Sequence, residues 1–154
     1  SSGSADDGHV SPSSVLERQR TSLVARSELL TEFGVIEETQ VDMLIARKHK
    51  NTSAADFVAE GKLFSIEVAG VTYFPKFQFS PISKTVKPSI AMILAELPQG
   101  LKNDRWGLAL WWVNPLAALG GKRPVDVVNS NHNLVVAAAV EERKHWEADN
   151  PTDQ

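Results

Sequence analysis

Chemistry in a protein starts from side chains that titrate, ligate or attack, and this chain offers few of them. Its four histidines are His9, His49, His132 and His145. No two stand in a ligand spacing such as H-x-x-x-H, so no metal site is predicted. There is no cysteine, which removes disulfides, thiol nucleophiles and zinc–thiolate centres. Glu37-Glu38 and Glu141-Glu142 are adjacent carboxylates, but neighbours on a helix point about 100° apart and do not converge on one proton. A nucleophile elbow, a phosphate loop and a dinucleotide fingerprint are all missing. The sequence is therefore not expected to be an enzyme, and no catalytic residue, cofactor or metal is predicted. What remains is the chemistry of binding: cations at Arg47-Lys48-His49-Lys50 and Lys122-Arg123, and tryptophans at 106, 111 and 112.

Elements must hold those groups in place. With 154 residues, 42% of them hydrophobic, the chain can build one mid-sized core or two small ones. A net charge of −3 and a pI near 5.8 argue against a strongly basic nucleic-acid binder and leave room for a local patch. No apolar run nears the roughly 20 residues that cross a bilayer. The opening "SSGSADDGHVSPSS" has no signal-peptide pattern. Residues 1–13 and 149–154 read as flexible polar tails, and the expected location is the cytoplasm.

Apolar spacing predicts a helix over 14–33 and a second over 37–50, the latter with Val41, Leu44 and Ile45 inward. Asn51-Thr52-Ser53 can cap a third helix that carries Ala54, Phe57 and Val58 inward and stops at Gly61. Alternation at Phe64, Ile66 and Val68, a turn at Ala69-Gly70, and Val71, Tyr73 and Phe74 predict a β-hairpin. Pro75 limits its second strand to an edge or ends it. "SPISKTVKP", residues 80–88, reads as a hinge between domains. Beyond it come a helix capped by Ser89 and stopped by Pro98 and Gly100, one bearing Trp106, Leu110 and Val113 on a face, a short one begun by Pro124, and a long last one. The predicted fold is mainly α: a small helix-turn-helix domain with a β-hairpin wing over 14–79, then an all-α domain over 89–148.

Two helices, a tight polar joint and a third helix make a helix-turn-helix candidate. Asn51, Thr52 and Ser53 would reach base edges from the start of the recognition helix, while Arg47, Lys48, Lys50, Lys62 and Lys76 would meet phosphates. Against this, residues 40–76 carry five Lys/Arg (47, 48, 50, 62, 76) and four Asp/Glu (42, 56, 60, 67), a small excess for binding driven by counterion release. "RKHK" also reads as a solvated helix end that complements the helix dipole. This half, through "NTSAADFVAEGKLFSIEVAGVTYFPKFQF", resembles the winged helix-turn-helix part of small bacterial regulators and antitoxin-like proteins.

Adjacent Trp111 and Trp112 diverge on their helix, so one is expected in the core and the other at a boundary. Trp111 and Leu119 are assigned to the core. Trp112, Lys122 and Arg123 are the expected partner contacts, since Trp and Arg are enriched at binding hot spots. The stretch "WWVNPLAALGGKRPVDVV" resembles the toxin-binding domain of Xre/MbcA/ParS-type antitoxins. Trp111, Pro115, Leu119, Gly120, Gly121, Pro124, Asp126 and Val127-Val128 match its pattern. Leu116 stands where Asn is usual, and Val127-Val128 where Leu-Leu is commoner. The likeness spans about residues 85–142.

It implies an all-α module that binds a protein toxin, in many systems a RES-type toxin that consumes NAD. It also implies a homodimer, often one that represses its own promoter DNA, with Lys122 and Arg123 as exposed contacts and the final helix and tail reaching the toxin. A DNA-binding regulator or plasmid-maintenance factor without a toxin is the alternative. No membrane partner is expected.

Overall fold

Residues 23–149 are described in the computed structural model of the chain. The predicted tail over 1–13, the first part of the predicted helix over 14–33, and all of the predicted tail over 149–154 except the helical Asp149 lie outside them. Residues 23–28 form α1, which continues as a π-turn over Leu29–Phe33 and ends at Gly34. Then come β1 (Val35–Glu37), α2 (Glu38–Ala46), α3 (Ala54–Ala59), β2 (Ile66–Val68) and β3 (Val71–Pro75). The second half holds α4 (Pro88–Glu96), α5 (Gln99–Lys102), α6 (Arg105–Val113), α7 (Pro124–Val127) and α8 (His132–Asp149). The described residues are mainly α with one small sheet, as the periodicity predicts.

That sheet has three antiparallel strands in the order β1-β3-β2. The predicted hairpin is β2–β3, with its turn at Ala69-Gly70. β1 is an addition: Val35, Ile36 and Glu37 pair with Pro75, Phe74 and Tyr73. So β3 is the central strand rather than an edge, and Pro75 ends it where its missing N–H costs least. The predicted second helix accordingly starts one residue late, after the strand, and stops at Ala46.

Side-chain alternation along these strands makes the sheet a partition. Ile36, Leu63 and Phe74 face a small core with Val41, Ile45, Ala54, Phe57 and Phe79. Val35, Phe64, Ile66, Val68 and Tyr73 face the large core, which holds Leu29 of the π-turn, Ile90, Ile93 and Leu94 of α4, α6, and Val135, Ala138 and Ala139 of α8. Successive residues point to opposite faces of a strand, so three short strands serve both cores. The large core draws side chains from both sides of the 80–88 segment, a packing that the predicted division into separate domains does not foresee.

The 80–88 segment is a loop closed by its own backbone bonds. Phe79 and Val86 form an isolated antiparallel bridge. Ser80 N donates to Thr85 O at 2.8 Å, and Lys84 N to Ser80 O at 2.9 Å. Lys84 takes a left-handed φ of 62° to close the loop. Pro88, at the first position of α4, then takes over the start assigned to Ser89. Buried Gln78 ties this region to the sheet: its Oε1 accepts from Phe64 N, and its Nε2 donates to the carbonyls of Phe64 and Pro75, at 2.9–3.1 Å.

Candidate functional site

The corner after α6 is built from the motif residues. Asp104 caps α6 by accepting from Gly107 N at 3.1 Å. The helix stops at Asn114, and exposed Pro115 leads out of it. Residues Ala117–Leu119 make one 3₁₀ turn. Gly120 and Gly121 follow at φ of 67° and 86°, and no side chain lies near either Cβ position. Here glycine is required by the backbone alone. Leu116 N donates to Lys122 O at 3.0 Å and Gly121 N to Leu116 O at 2.8 Å, which closes the corner. Buried Pro124 opens α7, and Val125, Val127 and Val128 pack inward. Buried Leu119 anchors the turn.

The two tryptophans are both core. Trp111 is 5% exposed, and its Nε1 donates to Glu142 Oε1 at 3.3 Å. Trp112 was expected at a partner-binding surface and is 0% exposed, so that assignment is corrected. Its ring stacks on Phe64 at 5.7 Å and 9°, meets Trp111 edge-on at 5.4 Å, and touches Phe77 at 5.6 Å. Phe64 and Phe77, which flank the β2–β3 hairpin, cover the side of α6 that looked like a boundary from the helix alone. Trp112 Nε1 has no partner among the described residues.

Lys122 and Arg123 part company. Lys122 is exposed and makes no ion pair among the described residues. Arg123, expected as an exposed contact, is partly buried and bound to two acids of the chain. It donates to Asp126 through Nε at 2.6 Å and Nη2 at 3.1 Å, and to Glu32 through Nη1 at 3.1 Å and Nη2 at 2.9 Å. Its guanidinium also lies 5.1 Å from the Phe33 ring centre. Planar forked pairing of this kind suits Arg and not Lys. The hydrogen bonds that Arg123 donates hold the Glu32 carboxyl below its ordinary value, and the acceptors Glu32 and Asp126 push Arg123 further up. The motif's arginine thus clasps the corner to the π-turn. Glu32 is a site residue that sequence reasoning missed, because its partner lies 91 positions away. Glu142 is another: its Oε2 accepts from Trp146 Nε1 at 3.1 Å, so one carboxylate holds two indoles.

In the helix-turn-helix region, α2 and α3 are joined through a turn with Asn51 at φ 61°. Ser53 and Asp56 form a capping box: Ser53 Oγ accepts from Asp56 N at 3.1 Å, and Asp56 Oδ2 from Ser53 N at 2.9 Å. Asp42 Oδ1 accepts from Ala54 N at 2.7 Å. Two carboxylates therefore occupy the positive end of α3. Ser53, expected to reach bases, is spent on the cap, and Thr52 donates to Lys50 O at 3.3 Å. Val58, expected inward, is 38% exposed. Lys62 pairs with Glu60 at 3.0 Å. Arg47, Lys48, Lys50 and Lys76 are exposed and free of ion pairs among the described residues.

Among the described residues no group of three or more His, Asp or Glu could hold a metal ion, and no helix is long and apolar enough to cross a membrane. The chain matches no known family, no curated protein and no solved structure.

Proposed function

We propose that the chain is an antitoxin-like bacterial protein that binds and neutralises a partner toxin, acts in the cytoplasm as a homodimer, and represses its own promoter. One observation carries this reading. In the Leu119–Val128 corner, the residues that resemble the toxin-binding domain each meet a physical demand: left-handed glycines, a helix-starting proline, an anchoring leucine and inward valines. The corner is fixed by backbone bonds and the Arg123–Glu32 clasp, and it leaves Lys122 facing solvent. A rigid turn with one outward cation suits a contact on an acidic rim, because little entropy is lost when it docks.

The test is co-expression with any small protein encoded beside it whose production alone arrests growth. The expected result is relief of growth arrest by the wild type and weaker relief by Lys122→Glu. No relief by a folded wild type would overturn the reading. A second reading, a DNA-binding regulator without a toxin, is favoured by the unpaired cations at Arg47, Lys48 and Lys50.

A further inference from the structure

We infer that the Ser80–Thr85 loop, and not the β2–β3 hairpin, is the arm that meets duplex DNA, with Lys48, Lys50, Lys76 and Lys84 as its phosphate contacts. This rests on the reading that the chain binds promoter DNA. The β2–β3 tip is a poor wing. It carries no cation, and its one charged flank, Glu67, is paired with Arg105 at 3.4 Å. Its strands are also occupied on both faces by the two cores.

The 80–85 loop has what the tip lacks. It is closed by backbone bonds and seated on the small core through Phe79 and Val86. It projects Ile82, 91% exposed, and Lys84, also exposed. Lys84 lines one cleft of about 270 Å³ together with Lys48 and His49 from the end of α2. It lines a second groove together with Lys76 and Lys87. The acids bordering that groove, Glu32 and Asp126, are bound to Arg123. Lys48, Lys50, Lys76 and Lys84 make no ion pair among the described residues. Positive charge therefore gathers between α2's C-terminal end and the loop, while Asp56 and, from α2, Asp42 place their carboxylates at the start of α3. A duplex backbone fits the cationic side and is repelled by the other.

The experiment is fluorescence anisotropy of the full chain with a duplex spanning the region upstream of its own coding sequence, at graded salt. Lys48→Ala/Lys84→Ala should lower affinity roughly tenfold or more near 0.1 M salt and flatten the log–log salt slope by about 2. Thr52→Ala/Lys62→Ala should stay within about twofold of wild type, since neither contact faces the backbone in this arrangement. Circular dichroism confirms that both variants fold. If the Thr52/Lys62 pair loses binding and the Lys48/Lys84 pair does not, the loop assignment fails and promoter binding stands. If the folded wild type shows no salt-dependent binding, both fall. Equal affinity for an RNA duplex of the same length, or for vesicles of anionic lipid, assigns the cations to another polyanion and overturns the proposal.

Discussion

Trp112→Ala tests whether the two halves share one core. A buried tryptophan removes about 150–250 Å² from water. At about 25 cal/mol/Å² this is about 4–6 kcal/mol, an upper bound because unfolded chains already bury part of that surface. Truncations of this kind cost about 3–5 kcal/mol. The side chain is fully buried and touches Phe64 and Phe77 from the first half and Trp111 from the second. We therefore expect a loss of about 3–5 kcal/mol from a total of about 5–15. The melting temperature should fall by about 10–20 °C.

Trp112→Phe keeps a ring against Phe64 and deletes an N–H that has no partner among the described residues, so it should cost only about 1–2 kcal/mol. The assay is urea and thermal unfolding by circular dichroism, with Lys122→Ala as a surface control. A Trp112→Ala protein within about 0.5 kcal/mol of wild type would refute the reasoning, since that is the behaviour of a surface position. Two separate transitions in the wild type would also refute the shared core.

Three further outcomes follow from the same geometry. Gly121→Ala should destabilise by about 1–2 kcal/mol through its positive φ alone, as no neighbour meets the added Cβ; denaturant titration checks it, and an unchanged midpoint counts against the corner's strain. Gln78→Leu should cost about 2–4 kcal/mol by stranding the Phe64 N–H and C=O, which hydrogen exchange at Phe64 can follow. Glu32 titrates below its ordinary value of 4.5 in the folded state. Its clasp is therefore complete above that value and is lost as pH falls through the lowered one. Wild-type melting temperature should then drop more steeply in acid than that of Glu32→Gln, and parallel curves would show that the clasp adds nothing.

Local patterns were readable in the sequence wherever one element decides them. The Ser53 cap, the Ala69-Gly70 turn, the paired glycines and Pro124 at a helix start all rest on backbone rules confined to a few residues. Relations between distant elements were not. β1 is three residues long and its apolar pair blends into the next helix. Trp112 looked like a boundary residue because its cover, Phe64 and Phe77, comes from another part of the chain. The 80–88 segment has a hinge's composition, yet its serines, threonine and left-handed Lys84 close a loop. Arg123 has the type of a hot-spot residue, and only tertiary contact with Glu32 shows that its donors are engaged within the chain.

The central claim is that the Leu119–Val128 corner belongs to a toxin-binding surface. The most direct test purifies the tagged chain from its native host, identifies partners by mass, and repeats the capture with Lys122→Glu. The account predicts a stoichiometric small enzyme encoded next door, held by the wild type and weakened by the charge reversal. A folded wild type that captures no such enzyme, or one held equally well by Lys122→Glu, would contradict it.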